Sequence, residues 1–394
     1  MRVLFLNQHE FNENHGYLMR GVVNKLVHDN NEVEYICYKS NKTLNTNLDI
    51  NHVGFRIKKI KMVNSNSYNF IIKVINMIYF SFYSLVCSSF RIKKYDVVIV
   101  GSSHILLLGF VGVIISKIHR AKFIYRVEDL TSYNYLINSN RIIKYAIYLY
   151  YLIEKFVYAS SFKILTLSHD MKQTINNNFS KPLDNILIIP NLPKISNNVS
   201  EYIKHPILKK DNINFRIVFI GNIGWVQGLN FLIKSMKFLE SENIELVILG
   251  SGSQEKKLKA LSKKIDNKNV YFISFQSEDF SKQLVSTANM GVISLLPGIE
   301  KHAFPSKIYN YLEMYCPILG IVNKESELYN LIRDEGIGVA VEYGDTKKLT
   351  NTILDCANQD NFKNKFKNNI KKLTNSYFSS EKILNSWISA IYQK

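Results

Sequence analysis

Short apolar runs alternate along this chain with longer segments whose apolar positions recur three and four residues apart. The runs at 3–6, 33–37, 53–57, 97–100, 123–127, 164–167 and 186–189 are mostly followed by turn residues and then by a helical pattern. Runs this uniformly apolar suit strands covered on both faces. The alternation predicts a parallel sheet with helices packed over it. The rhythm pauses at Pro190-Asn191-Leu192-Pro193 and through a polar stretch at 196–214. It resumes at 215–220, 246–249, 270–274, 291–295, 318–321 and 338–341.

The expected architecture is α/β, with two Rossmann-like doubly wound domains in series. Residues 1–195 form the first, 196–214 a linker, 215–375 the second, and 376–394 a final helical segment. Ile383, Leu384, Trp387, Ile388 and Ile391 give that last segment an apolar face at helical spacing. Doubly wound sheets bind ligands beyond the carboxyl ends of their strands. Two of them facing a central cleft would let two substrates meet.

Two longer apolar stretches, 70–90 and 97–118, raise the question of a membrane span. Lys73 and Asn76 interrupt the first, and Gly101, Ser102, Ser103 and His104 sit inside the second. The second reads as strand, turn and helix, and a surface that dips into a membrane is preferred to a crossing. Residues 1–6 run straight into a strand pattern without a cleavage site, so no secretory leader is expected.

Composition narrows the partners. The net charge of +18 favours anionic ones: nucleic acid, acidic lipid head groups or phosphorylated substrates. A base-composition bias toward Asn, Ile and Lys accounts for much of that excess equally well. No basic stripe with regular aromatic spacing occurs, so nucleic acid is not the expected partner. The cysteines, Cys37, Cys87, Cys316 and Cys356, are scattered and form no C-x-x-C pair. Neither a zinc site nor a disulfide scaffold is indicated, and a reducing, cytoplasmic setting fits. No metal cluster is apparent, and no cofactor is expected.

Five constellations carry candidate chemistry. Residues 221–228, Gly-Asn-Ile-Gly-Trp-Val-Gln-Gly, lie between a strand and a helix. Their glycines let backbone approach a ligand, and the helix start offers N–H groups to a diphosphate. Gly221, Asn222, Gly224 and Gln227 are the donor-site candidates there. Gly250-Ser251-Gly252-Ser253 occupies a similar turn, where a tight turn capped by a serine is an equally good reading. At 301–312, Pro305 suits a first helical turn, which places Ser306 and Lys307 at exposed N–H groups as a phosphate clamp. Asn310 follows one turn later on the same side, within reach of ribose hydroxyls. In the first half, Arg126, Glu128 and Asp129 follow a buried strand, where a surface ion pair and a catalytic group are both open readings. His104 has a comparable edge position, and Gly16 follows the first strand, where it opens space for a donor or serves a simple loop.

At these residues the second half resembles glycosyltransferase family 4. GNIGWVQGLNFLIKSM, LVILGSGSQEKKL, FPSKIYNYLEMYCPILG and GIGVAVEYGD carry the likeness, strongest over 215–345. The nearest branch is that of bacterial O-antigen and capsule enzymes of the L-N-acetylfucosamine transferase type. The resemblance implies a GT-B fold and retaining transfer from a nucleotide sugar, with uridine as the base. It also implies an undecaprenyl-diphosphate-linked saccharide acceptor and a peripheral site on the inner face of the cytoplasmic membrane, against its anionic surface. Residues 221–228 would touch the diphosphate, and Ser306, Lys307 and Asn310 the phosphate and ribose. Phe275 falls where the family places base contacts. Lys307 would stabilise the leaving diphosphate, and Asp129 would lie near the acceptor hydroxyl or the transferred sugar. The chain departs from the family at several points. Asn222 and Gln227 replace an arginine and a lysine, and His302 and Asn310 replace two glutamates. Arg126 and Glu128 stand with their charges exchanged. A nucleotide-sugar 2-epimerase or a non-catalytic partner of the same fold are the rival readings.

Overall fold

The computed structural model describes residues 1–8, 11, 17–39, 54–62, 70–102, 106–130, 141–192, 203–209 and 215–393. The chain divides into two compact units. One comprises Met1–Leu192 with Ser380–Lys394, and the other Pro193–Ser379.

The first unit is built on β1 (Arg2–Leu6), β2 (Glu32–Tyr38), β3 (Phe55–Ile60), β4 (Val97–Ser102), β5 (Lys122–Val127), β6 (Lys163–Thr166) and β7 (Ile186–Ile188). They pair in the order β3-β2-β1-β4-β5-β6-β7, all parallel, with Val3 opposite both Val33 and Val97. Helix α1 (Tyr17–His28) follows β1, α2 (Phe70–Ser89) precedes β4, and α3 (Leu106–His119) precedes β5. Helix α4 (Arg141–Ala159) precedes β6, and α5 (His169–Asn176) precedes β7. Strand side chains Val3, Phe5, Val97 and Ile99 join Val22 and Leu26 of α1 in one core. Trp387 and Ile391 of the last helix complete it.

The second unit repeats the plan with β8 (Phe215–Ile220), β9 (Ile244–Leu249), β10 (Val270–Ile273), β11 (Met290–Ser294), β12 (Ile318–Ile321) and β13 (Gly338–Val341). Their order is β10-β9-β8-β11-β12-β13, again parallel. Helices α6 (Leu229–Met236), α7 (Glu255–Lys264), α8 (Glu278–Thr287), α9 (Lys307–Glu313), α10 (Glu327–Asp334), α11 (Thr346–Ala357) and α12 (Phe362–Ser376) complete it. At the amino edge, wholly buried Arg216 pairs with Glu245 in register on the next strand. It also donates to Thr287 Oγ1 (2.7 Å) and to the Lys209 carbonyl (3.0 Å), so the buried charge is well partnered. The final helix, α13 (Ser380–Tyr392), belongs to the first unit.

Each apolar run is a strand among the described residues, but several local expectations change. The run at 53–57 is described as a strand over Phe55–Ile60, ending three residues later than expected. Helix α2 runs through Lys73 and Asn76 without a break, and Asn76 is buried, with its carbonyl accepting from Tyr38 Oη. Ser253 does not cap α7, whose cap position is Gln254. Pro305 precedes α9 by two residues instead of entering its first turn. No helix among the described residues is long and apolar enough to cross a membrane.

Candidate functional site

In the second sheet, β8, β9 and β10 wind one way and β11, β12 and β13 the other. The direction reverses between β8 and β11, so the connections leaving those two strands diverge and open a crevice at their carboxyl ends. The strands pair only at Ile217 with Met290 and at Val218 with Gly291. Beyond that point the Tyr311 hydroxyl fills the gap. It lies 3.2 Å from the Val218 carbonyl and 3.0 Å from that of Val292, and it accepts from Ile220 N at 3.3 Å. Its ring covers Gly291, where any side chain would overlap it.

Tyr311 therefore fixes the position of α9, and Lys307, one turn earlier, is held at the crevice. The Lys307 ammonium donates to Gln227 Oε1 at 2.7 Å and lies 3.7 Å from the centroid of the Phe219 ring. A methyl group added at Gly221 would meet the Lys307 Cε at 4.0 Å. The residue is half-buried overall, but its charged end lies deep among protein atoms, and loss of solvation pushes its pKa well below the usual lysine value. A desolvated ammonium with one neutral acceptor and an aromatic face is an incompletely matched cation. An anionic ligand would complete it.

The glycine loops close against one another beside this lysine. Gly221 and Gly250 have positive φ, +114° and +153°. A methyl group on Gly250 would overlap the Gly221 carbonyl. Ile223 N donates to the Ser251 carbonyl at 2.9 Å, and Gln254 N to the Ile223 carbonyl at 3.0 Å. On its other side the 221–228 loop is tied to the β11 connection, where Leu296 N donates to the Val226 carbonyl at 2.9 Å. Gly228, with φ of +55°, stands at the start of α6, and Tyr343 and Leu296 leave it no room for a side chain. The helix enters through a single 3₁₀ turn at Trp225–Gln227, which carries Gln227 to Lys307.

The structure thus brings Gly221, Asn222, Gly224, Gln227, Gly250, Ser251 and Lys307 together. Ser306 and Asn310 are exposed on and beside α9, with Pro305 half-buried before them, and Phe275 projects into solvent just past β10. Ser306 makes no side-chain cap bond to α9. His302 is half-buried, and burial, with a smaller contribution from Lys301, holds its pKa down at about 4. It is therefore a neutral imidazole near pH 7. Glu300 is buried, and its Oε1 accepts from Gly298 N at 3.0 Å.

In the first unit, Arg126 is buried. It pairs with Glu128 (3.1 Å) and with Asn191, and its guanidinium lies 5.1 Å from the Trp387 ring. These contacts tie β5 to α13, and they make the Arg126–Glu128 pair a largely buried one that starts within β5 and is no surface pair. Asp129 is half-buried two residues past β5. His104 and Gly16 lie outside the described residues. Sequence reasoning missed Phe219, Tyr311 and Tyr343. Tyr311 alone left a signal, since it stands four residues after Lys307 on one helix face.

Replacing Tyr311 by phenylalanine keeps the ring over Gly291 but leaves the Ile220 N–H unpaired at the divergence. The expected loss is about 1–3 kcal/mol of stability, read from denaturant midpoints. No change would mean that water replaces the hydroxyl.

Residues 201–373 match the family model described as glycosyl transferases group 1, which supports that family for the second unit. A probable glycosyltransferase of Pseudomonas aeruginosa, WbjE, is 22% identical over 196 residues, a match covering 46% of this chain and 46% of that protein. The chain is similar throughout to Anabaena HepE solved with UDP (14% identity, 100% of both chains, TM-score 0.69). It is also similar to WaaG, a glycosyltransferase involved in lipopolysaccharide biosynthesis (12% identity, 100% of both chains, TM-score 0.68). The fold is GT-B, with two parallel α/β sheets in one chain.

Proposed function

We propose that this chain is a glycosyltransferase that moves a sugar from a nucleotide diphosphate, UDP by preference, to a lipid-linked saccharide. The observation that carries the reading is the meeting of the two glycine loops with the desolvated Lys307 ammonium at the β8/β11 divergence. Backbone N–H groups of 221–228 and the start of α6 would take the diphosphate. Lys307 would leave Gln227 for a phosphate oxygen and stabilise the negative charge that grows there as the glycosidic bond breaks. Exposed Asn310 would contact the ribose and Phe275 the base, and neutral His302 would hydrogen-bond a sugar hydroxyl. The UDP in HepE supports the choice of base.

Retention of anomeric configuration, independence from metals, and roles for Asp129 and His104 near the acceptor belong to the same proposal. So do an undecaprenyl-diphosphate-linked acceptor, a part in O-antigen or capsule assembly, and a peripheral position on the inner face of the cytoplasmic membrane. WbjE and WaaG support the polysaccharide setting.

The test is a screen of UDP-, GDP- and dTDP-sugars with the purified chain, with and without membrane lipid extract, following free nucleotide diphosphate. Release that needs the extract, with UDP-sugars preferred, is the expected result. Conversion of a donor without lipid would make the chain an epimerase. Failure to bind any donor would sink the enzyme reading and favour a non-catalytic partner.

A further inference from the structure

The surface of the first unit carries an apolar face that its own sheet does not use. Helix α2 buries Phe80 together with the polar Asn76, Ser81, Ser84 and Ser88, and leaves large apolar side chains outside. Its inner side packs on α3, and α3 packs in turn on α4. Its outer side carries Ile75, Ile78, Phe82 and Val86, all exposed, at spacings of three and four residues. Just past its end Phe90 is 84% exposed and Ile92 entirely so. The outer side of α4 continues the face with Tyr148, Leu149, Leu152 and Phe156. An apolar stripe at helical spacing normally faces a partner, and an exposed apolar patch of this extent marks an interaction surface.

Charge on the same layer identifies the partner. Helices α2 and α3 contain no aspartate or glutamate, and α4 contains only Glu154, which is buried and accepts from Tyr158 Oη at 2.8 Å. Cations collect at one end. His119 Nε2 lies 2.8 Å from the Ser88 carbonyl, which brings the last turns of α2 and α3 together. Lys93, Lys94, Lys117 and Arg120 are all exposed there, beside exposed Ile118. Lys117 lies 5.5 Å from the Phe156 ring, which joins the α4 stripe to the same cluster. The exposed carboxylates nearby are Glu32, 3.5 Å from Lys93, and Asp96, which accepts from Arg2 N.

We propose that α2, α4 and the 90–94 turn form a docking face for an anionic lipid bilayer. The two helices lie flat in the head-group boundary, their apolar stripes immersed, and the cationic end sits among acidic head groups. Tyr79 and Tyr148, half apolar and half polar, suit that depth. The inference extends the membrane-held acceptor of the proposed reaction, and its test needs neither donor nor acceptor.

That test is co-sedimentation of the full chain with vesicles of phosphatidylcholine alone and vesicles containing phosphatidylglycerol. Binding to the acidic vesicles, weakened by salt, is expected. The pair Phe82→Glu and Leu149→Glu should weaken it by on the order of tenfold or more, with thermal unfolding unchanged because both side chains are exposed. Lys93→Glu with Lys94→Glu should remove the preference for acidic lipid. Phe238→Glu, an equally exposed apolar position in the second unit, should bind as the parent does. Lys307→Met should bind fully while failing in turnover, which separates this proposal from the catalytic one. Equal binding to both vesicles, or unimpaired binding by the Phe82/Leu149 pair, would overturn it. So would a dimer, seen by light scattering and lost in that pair, with no vesicle binding, since the face would then belong to a second copy.

Discussion

Lys307→Met should lower donor turnover by on the order of 10²–10³ in kcat/KM, the usual loss when one preorganised group facing a developing anion is removed. Methionine matches the stem in length and apolar character, so the packing over Phe219 and beside Gly221 survives. Stability should hold or rise, because a desolvated charge with a single neutral acceptor is removed. Lys307→Arg should not rescue, since a planar fork does not fit a space shaped around a single ammonium. The lowered pKa adds a pH signature. The catalytic form is the protonated one, so kcat/KM in the free enzyme should fall on the alkaline side at a pH below the usual lysine range. Bound diphosphate should move that limb upward. A parent and variant with the same kcat/KM would remove Lys307 from the chemistry.

Gly250→Ala should cost about 2–4 kcal/mol and weaken UDP binding by on the order of tenfold or more. Two penalties combine there. The residue holds φ of +153°, and its methyl group would overlap the Gly221 carbonyl, so the two loops cannot stay zipped at Ile223 and Ser251. Gly298→Ala is the internal control. It also has positive φ, +91°, but nothing lies within 4 Å of a methyl group there. It should show backbone strain of about 1–2 kcal/mol with little change in UDP affinity. Denaturant unfolding and calorimetric titration with UDP read both variants. Equal losses would mean that strain alone is being measured and that the loop contact is immaterial.

Most strands were legible because they are buried on both faces and read as largely apolar runs, Ile244–Leu249 and Phe215–Ile220 among them, even though each carries one charged residue, Glu245 and Arg216, that pair with each other. The glycine loops and Lys307 were legible for a related reason. Positive φ and a helix start leave their mark in residue type at fixed spacing. What escaped were contacts between distant segments. Nothing in local sequence says that Tyr311 closes the gap between β8 and β11, or that Phe219 lies under the Lys307 ammonium. Arg126 was ambiguous for the same reason. Its role depends on Asn191 and Trp387, both remote along the chain.

The place of α13 bears on the order in which the protein is made. The core of the first unit includes Trp387 and Ile391, residues that leave the ribosome after the entire second unit. Domains generally fold as they emerge, amino end first. Here the earlier-made sheet must wait, with the face that receives α13 uncovered, while the later unit is synthesised. Loss of α13 would therefore injure the earlier-made unit rather than the later one, and nascent chains stalled before residue 380 would need a chaperone on a surface that α13 otherwise hides.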